Sequence, residues 1–192
     1  ADALTIELSA KGIPVSVHET FVGDVTGYRT NLIKIKQAGP DAIYLGTLAA
    51  HTAQILKQAD TLGIQGPFFS FRATEDPVLI ENAPQLASRV IYTNAFDAES
   101  QNKETKDFIA SWNKVYNEVP NGYAAEAYEA VILTAAAFSE CGKDYVCIQK
   151  YLEGIENRPS VFGPLSFDDY GDVIYPFFLK TIKDGKFVRV EE

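Results

Sequence analysis

The feature that most constrains this sequence is a regular alternation of two spacings of apolar residues between residues 13 and 96. Some segments carry apolar residues at every second position or in short runs, as β-strands do, and the segments between them follow the spacing of an amphipathic helix. The predicted strands read IPVSVHETF, DAIYLG, PFFSF and RVIYTNAF, and the predicted helices read YRTNLIKIKQAG, AAHTAQILKQADTLG and DPVLIENAPQLA. Because alternating strands and helices build a mostly parallel sheet with helices on both faces, the sequence predicts an α/β fold.

The same spacing predicts which side chains these elements bury. The first strand would place Ile13, Val15 and Val17 on one face. The helices that follow would turn inward a set of aliphatic residues, namely Leu32, Ile33, Ile35, Ile55, Leu56, Ala59 and Leu62. The segment ADALTIELSAKG predicts a helix that ends at Gly12. Since the chain opens inside this helix, we expect it to be a processed or truncated piece.

The pattern changes after Asp97. Three predicted helices follow, ETKDFIASWNKVYNEV, YAAEAYEAVILTAAAF and DYVCIQKYLEG, with no clear strand before Val161. The second is apolar nearly all round, which predicts burial on most of its faces. These helices either form a small bundle or cover a sheet that lies in other sequence. The tail returns to strands, with GPLSF first and then VIYPFFLKTI pairing with KFVRVE through a turn at Asp184-Gly185.

Charge and cysteine content restrict the class of protein. The 192 residues carry a formal net charge of −9, which disfavours nucleic acids and anionic membranes as partners. No apolar run reaches the length of about 18 residues that a membrane span needs. Five residues separate Cys141 from Cys147, which permits a disulfide that closes a small loop in an oxidising compartment; two unpaired buried thiols in a cytosolic protein are the alternative. We favour the disulfide.

No set of residues suited to catalysis stands out. The sequence lacks the glycine-rich phosphate loops GxGxxG and GxxxxGK[ST] and the GxSxG elbow of serine hydrolases. The two histidines, His18 and His51, lie far apart and have no cysteine or clustered carboxylates near them in sequence. We therefore expect a protein that is not an enzyme and that holds neither a metal nor a cofactor.

The ends of the predicted strands carry the candidate binding residues. In parallel sheets, ligands sit at the carboxyl ends of the strands. Phe21, Thr47, Leu48, Phe71 and Arg72 come at or just after such ends. Apolar walls with one cation suit a small organic ligand that bears an anion. Alternatively, Arg72 pairs across the turn with Glu75 or Asp76, and the residues alone do not decide between these interpretations.

Three long stretches, in their order along the chain, resemble a known family. They are GDVTGYRTNLIKIKQAGPDAIYLGTLAAHTAQILKQADTLGI, YAAEAYEAVILTAAAF and GPLSFDDYGDVIYPFFLKTIKDGKF. Together they cover most of the chain and resemble the C-terminal portion of type I periplasmic binding proteins of the leucine/isoleucine/valine type, which serve ABC transporters. The resemblance implies a two-lobed fold that this chain holds incompletely. Residues 1–97 would belong to the second lobe, residues 98–162 would return to the first lobe, and residues 163–192 would supply the closing strands and hairpin of the second lobe.

The resemblance also implies where a ligand binds. In members that bind amino acids, an acid follows the strand matched by PFFSF and meets the ligand's ammonium; this sequence has Arg72 there. Leu48 stands where those members have an aromatic contact. These departures favour a ligand with a carboxylate and no ammonium, for instance an aromatic or other organic acid. Tyr123, at the start of the second stretch, completes the candidate ligand-binding set.

From this resemblance we expect the solute-binding component of an ABC importer, which captures a small organic ligand, either amino-acid-like or an organic acid, in a cleft between two lobes. Its partners would be that ligand and the transporter's permease, and not nucleic acid. Family members are secreted to the periplasm or held outside the cell, which agrees with a Cys141–Cys147 disulfide. The alternative is the ligand-sensing ectodomain of a membrane receptor, which uses the same fold.

Overall fold

The computed structural model describes residues 2–22 and 27–190. In these ranges it contains seven α-helices, α1 Asp2–Ala10, α2 Arg29–Ala38, α3 Ala49–Thr61, α4 Pro77–Asn82, α5 Lys103–Tyr116, α6 Gly122–Cys141 and α7 Tyr145–Glu153. The eight strands there are β1 Ile43–Tyr44, β2 Phe68–Phe71, β3 Val90–Asn94, β4 Arg158–Ser160, β5 Gly163–Phe167, β6 Val173–Ile174, β7 Phe178–Lys183 and β8 Lys186–Arg189. Short 3-10 helices cover Arg72–Thr74 and Ala87–Arg89. None of the described helices combines the length and the apolar character that a bilayer crossing requires.

The chain forms two compact units. The first unit is Ala1–Thr93 together with Leu179–Glu192, and the second unit is Asn94–Phe178. The lobe boundaries predicted from the sequence, which fall after residues 97 and 162, stay a prediction.

A five-stranded sheet runs through the first unit in the order β1-β2-β3-β7-β8. Strands β1, β2 and β3 are parallel, with Ile43 opposite Phe68 and Phe68 opposite Val90. Strands β7 and β8 form the antiparallel hairpin that the sequence predicted, and Asp184 and Gly185 turn it with positive φ angles of 52° and 71°. The α/β class with a parallel sheet is thereby confirmed.

The helices of the first unit bury the residues that their spacing predicted, with one exception. Leu32, Leu56 and Phe68 are buried in one cluster with most of the expected aliphatic residues. Ile33 is the exception, because it is 39% exposed. It adjoins Leu32 on the helix, and a turn of about 100° per residue carries it away from the stripe that α2 packs against the sheet.

The first predicted strand is wrong. Residues 13–22 contain no strand, and the side chains of Ile13 and Val15 are half exposed. An alternating segment becomes a strand only when a neighbour takes up its backbone hydrogen bonds, and among the described residues β1, not this segment, lies at the edge of the sheet. The helix predicted before this segment is confirmed as α1, and Gly12 follows it with a φ of 73°.

The second unit packs three helices with the antiparallel sheet β4-β5-β6. Strand β4 lies in the region where the sequence showed no clear strand. Aromatic rings fill one core cluster, where Phe96 makes edge contacts with Phe108 and Phe162. Side chains of Asn102, Asn121 and Asp144 cap the starts of α5, α6 and α7.

Helix α6 is buried along one stripe only, contrary to the prediction from its composition. The buried residues are spaced by four, namely Ala125, Glu129, Leu133 and Ala137. Val131 is 66% exposed and Phe138 is 44% exposed. The apolar surface of α6 thus exceeds what the described part of the second unit covers.

A disulfide joins the end of α6 to the start of α7, because Cys141 and Cys147 are bonded with their Cα atoms 5.5 Å apart. This confirms the favoured interpretation of the cysteines. Elsewhere in the unit, buried Glu129 accepts hydrogen bonds from the guanidinium of Arg158 at 2.7 Å and from the backbone N–H of Val161 at 3.1 Å. Glu129 therefore ties α6 to β4 and to the turn that follows β4.

Candidate functional site

The candidate residues of the first unit gather at the carboxyl ends of neighbouring strands. After β1 the chain passes through Leu45 and Gly46 to Thr47 and Leu48, where α3 begins. After β2 it enters the 3-10 helix that starts at Arg72. Because β1 and β2 are parallel and adjacent, both turns lie at one edge of the sheet.

Thr47 supports the first turn of α3. It is only 8% exposed, and its hydroxyl lies 2.8 Å from that of Thr52. Since Thr52 donates its proton to the carbonyl of Leu48 at 3.1 Å, Thr47 is the donor of the hydroxyl pair. Leu48 is 58% exposed. The turn therefore exposes Leu48, while the hydroxyl of Thr47 donates its proton to Thr52.

Phe21 belongs to an aromatic group at the start of α3. Its ring lies 5.0 Å from that of Tyr28 and 5.5 Å from that of His51. Tyr28 is buried, and its hydroxyl is hydrogen-bonded to Nδ1 of His51 in the first turn of α3. The sequence interpretation missed Tyr28 and His51 as partners. The position of His51, three residues after Leu48, which precedes α3, was the signal from which this contact could have been predicted.

The turn after β2 carries Arg72 at its first position. Arg72 is half-buried, and its carbonyl accepts a hydrogen bond from the N–H of Glu75 at 2.9 Å. Asp76 accepts from the N–H of Val78 at 2.9 Å and caps α4. The side chain of Asp76 thus has a structural role. A contact between the guanidinium of Arg72 and an anionic ligand stays a prediction.

A buried group of three polar side chains lies beside this turn. One carboxylate oxygen of Glu75 is 2.6 Å from Nζ of Lys180 on β7, and the other accepts a hydrogen bond of 2.7 Å from the hydroxyl of Tyr92 on β3. Lys180 is 5% exposed and Tyr92 is 0% exposed. Burial, and then the negative charge and hydrogen bond of Glu75, raise the pKa of Tyr92 above its ordinary value.

The sequence interpretation also missed this group, which we call the Glu75 triad. Lys180 was the residue from which the group could have been predicted. It lies two residues before buried Ile182 in the strand FLKTIK and therefore on the same, inward face. A lysine at an inward position needs a partner of opposite charge. The sequence did not show that Glu75, 105 positions away, is that partner.

Hydroxyl groups also hold this turn. Ser70 on β2 donates to the carbonyl of Leu45 at 2.8 Å and lies 2.5 Å from the hydroxyl of Thr74. Thr74 is therefore the donor to Ser70. Thr74 and Glu75 together connect the Arg72 turn to four strands or strand ends of the first unit.

Tyr123 lies in the second unit, in the first turn of α6, and is 46% exposed. The side chain of Asn121 accepts from the N–H of Ala124 at 3.0 Å and fixes the start of that helix. Phe21, Thr47, Leu48, Phe71 and Arg72 belong to the first unit.

This edge of the first unit suits a small anion with an apolar body. Arg72 supplies a cation, Leu48 and Phe71 supply apolar surface, and α3 begins there with the positive end of its dipole. Within residues 2–22 and 27–190, no cluster of three or more His, Cys, Asp or Glu side chains is arranged to hold a metal ion.

Known proteins resemble this chain over its whole length. A Leu/Ile/Val-binding protein homolog of Brucella melitensis is 24% identical over 194 residues, which is 100% of this chain and 52% of that protein. The structure of a leucine-binding protein, LivK, from Thermotoga maritima superposes with a TM-score of 0.87 at 22% identity and covers 97% of this chain and 53% of its own. A solute-binding protein from R. palustris in complex with benzoate superposes with a TM-score of 0.81 at 18% identity, covering 99% and 53%.

Two conclusions follow. The chain spans about half the length of the relatives it matches. The family described as "Periplasmic binding protein" matches residues 1–186. Since that match covers nearly all of the sequence, this chain belongs to the periplasmic binding protein family.

Proposed function

We propose that the chain is part of the solute-binding component of an ABC importer that captures a small organic acid. The relatives that match it are named as binding proteins for amino acids or other solutes, which supports a binding role without catalysis. The chain covers about half of each of them, so we propose that a longer protein closes a further lobe over the ligand. The permease of the importer would be its protein partner, outside the cytoplasm.

The position of Arg72 is the observation that supports the choice of an anionic ligand. It begins the turn at the carboxyl end of β2, beside a strand end that exposes Leu48. A guanidinium can bind a carboxylate through two parallel hydrogen bonds, and the apolar side chains would contact the rest of the ligand. The benzoate complex of the R. palustris protein has a ligand of this kind, an aromatic carboxylate without an ammonium.

The test compares acids with their amino-acid counterparts in the complete protein. Isocaproate and leucine share a carbon skeleton and a carboxylate, and only leucine carries the ammonium; phenylacetate and phenylglycine form a second such pair. Thermal shift followed by calorimetry should show tighter binding of the acid in at least one pair, because ligand binding stabilises the folded state. Benzoate is a third probe.

Arg72→Ala should then weaken the bound acid by about 2–4 kcal/mol, the range for removing one partner of a desolvated charge pair. Arg29→Ala, in an exposed position at the start of α2, is the matched control and should leave the affinity unchanged. Stabilisation by amino acids alone, with Arg72→Ala binding them as well as the wild type does, would contradict the anionic ligand.

A further inference from the structure

The Glu75 triad places an acid within three residues of Arg72. The N–H of Glu75 donates to the carbonyl of Arg72, so both residues belong to one tight turn at the proposed binding edge. A free carboxylate in that turn would oppose an anionic ligand, since like charges that face each other in a desolvated site repel strongly. The turn therefore needs the charge of Glu75 to be neutralised or directed elsewhere.

Lys180 and Tyr92 do both. Each carboxylate oxygen of Glu75 has its own donor, the ammonium at 2.6 Å and the phenol at 2.7 Å. The side chains of Lys180 and Glu75 are 6% and 16% exposed, so solvent screens this pair little. The two donors sit on β7 and β3 and draw the carboxylate toward the interior of the first unit.

The turn itself is anchored separately. Thr74 donates to Ser70, and Ser70 donates to the carbonyl of Leu45. These bonds do not involve the carboxylate of Glu75. Removing Lys180 should therefore release one carboxylate oxygen of Glu75 from its ion pair without releasing the backbone of the turn.

We propose that Lys180 is a specificity-determining residue, which sets the charge preference of the binding edge by holding Glu75 away from the ligand. The proposal rests on the proposed function. Lys180 does not contact the ligand; it positions Glu75. Without its ammonium, the carboxylate of Glu75 moves toward solvent at the turn or toward the guanidinium of Arg72. Either movement lowers the affinity for an anion, and the first one offers a partner to an ammonium.

The experiment uses the complete protein, the pair isocaproate and leucine, and the ratio of their dissociation constants. Lys180→Met keeps a long side chain and removes the charge. It should shift the ratio by about tenfold or more toward leucine relative to the wild type. Adding Glu75→Gln should restore most of the original ratio, because the acid through which Lys180 acts is then absent. A residue that only supports the fold would not change a ratio in this way.

Lys183→Met is the matched control. Lys183 lies on the same strand and is exposed, and its loss changes the net charge by the same amount. It should leave the ratio unchanged. Tyr92→Phe removes one of the two donors and keeps the ion pair, so it should shift the ratio about threefold in the same direction, as expected for the loss of one hydrogen bond.

A buried carboxylate without its cation destabilises a protein, so Lys180→Met is the variant at risk of not folding. In that event, Tyr92→Phe is the variant that tests the proposal. An unchanged ratio in folded Lys180→Met overturns the proposal, as does a shift that persists when Glu75→Gln is added. If Lys180→Met does not fold, an unchanged ratio in Tyr92→Phe overturns it. If the wild type binds none of the acids or amino acids, the proposed function fails and this inference falls with it.

Discussion

Among single residues, Tyr92 connects the stability of the first unit to pH. Burial and the carboxylate of Glu75 raise the pKa of its phenol, so the folded protein keeps a proton that the unfolded chain releases near the ordinary pKa of about 10. A group whose pKa is raised on folding contributes its full stability below the unfolded pKa and loses it as the pH rises above that value. The contribution is therefore complete at neutral pH and decreases above about pH 10.

Tyr92→Phe should flatten this dependence. Above about pH 10, the wild type should lose up to about 1.4 kcal/mol of unfolding free energy per pH unit more than the variant, measured by urea unfolding at a series of pH values. Tyr145→Phe is the control, because Tyr145 is 80% exposed. Equal slopes for the wild type and Tyr92→Phe would contradict the prediction.

Glu129 has the comparable role in the second unit. Its carboxylate accepts from Arg158 and from the N–H of Val161, which is buried with it. Glu129→Ala leaves that N–H without an acceptor and should cost about 2–4 kcal/mol of unfolding free energy, measured by chemical denaturation. Glu140→Ala on the exposed surface of the same helix should change it by less than about 0.5 kcal/mol. Similar losses in both variants would show that the two contacts of Glu129 contribute little.

Among the structural elements, α6 and α7 are joined by the disulfide of Cys141 and Cys147, which are 6 positions apart. Closing so short a loop restricts the unfolded chain modestly, so replacing both cysteines by serine should cost about 2 kcal/mol. Thermal unfolding with and without reductant measures this, and the double variant should be insensitive to reductant. Mass spectrometry of the unreduced protein should show the loss of two hydrogens; two thiols that alkylate freely would contradict the bond.

Local signals predicted the elements that local interactions define. Helix α4 begins at the capping Asp76, and the hairpin of β7 and β8 turns at Asp184-Gly185, as their residues indicated. The strand predicted for the segment of Ile13 and Val15 is absent because a strand depends on a neighbouring strand, which the segment's own sequence does not contain. The prediction that α6 is buried on most of its faces was wrong for a related reason, since composition shows that a surface is apolar but not what covers it.

The sequence likewise predicted one part of the candidate site and not the other. Strand ends located Arg72 and Leu48, because a parallel sheet brings its carboxyl ends to one edge. The pairing of Lys180 with Glu75 joins positions that are far apart in sequence and was beyond any local pattern. Whether Phe71 and Tyr123 contact a ligand stays a prediction.

At the scale of the whole molecule, the proposed function predicts that this chain alone binds weakly. It covers about half of the relatives that it matches, so a ligand on its binding edge would lack the contacts of the remaining half. Calorimetry with isocaproate or benzoate should give a dissociation constant at least about a hundredfold weaker for residues 1–192 than for the complete protein, equivalent to about 2.7 kcal/mol. Equal affinities would place the whole binding site within this chain.

The first unit is built from two separated parts of the chain, and this has a consequence during synthesis. Ribosomes deliver a polypeptide from its amino terminus, so β1, β2 and β3 emerge before the entire second unit, and β7 and β8 emerge after it. Until β7 has left the exit tunnel, Glu75 and Tyr92 have no contact with Lys180. The second unit, which is continuous in sequence, can fold first, and the nascent sheet of the first unit stays open to proteases and chaperones until its hairpin arrives.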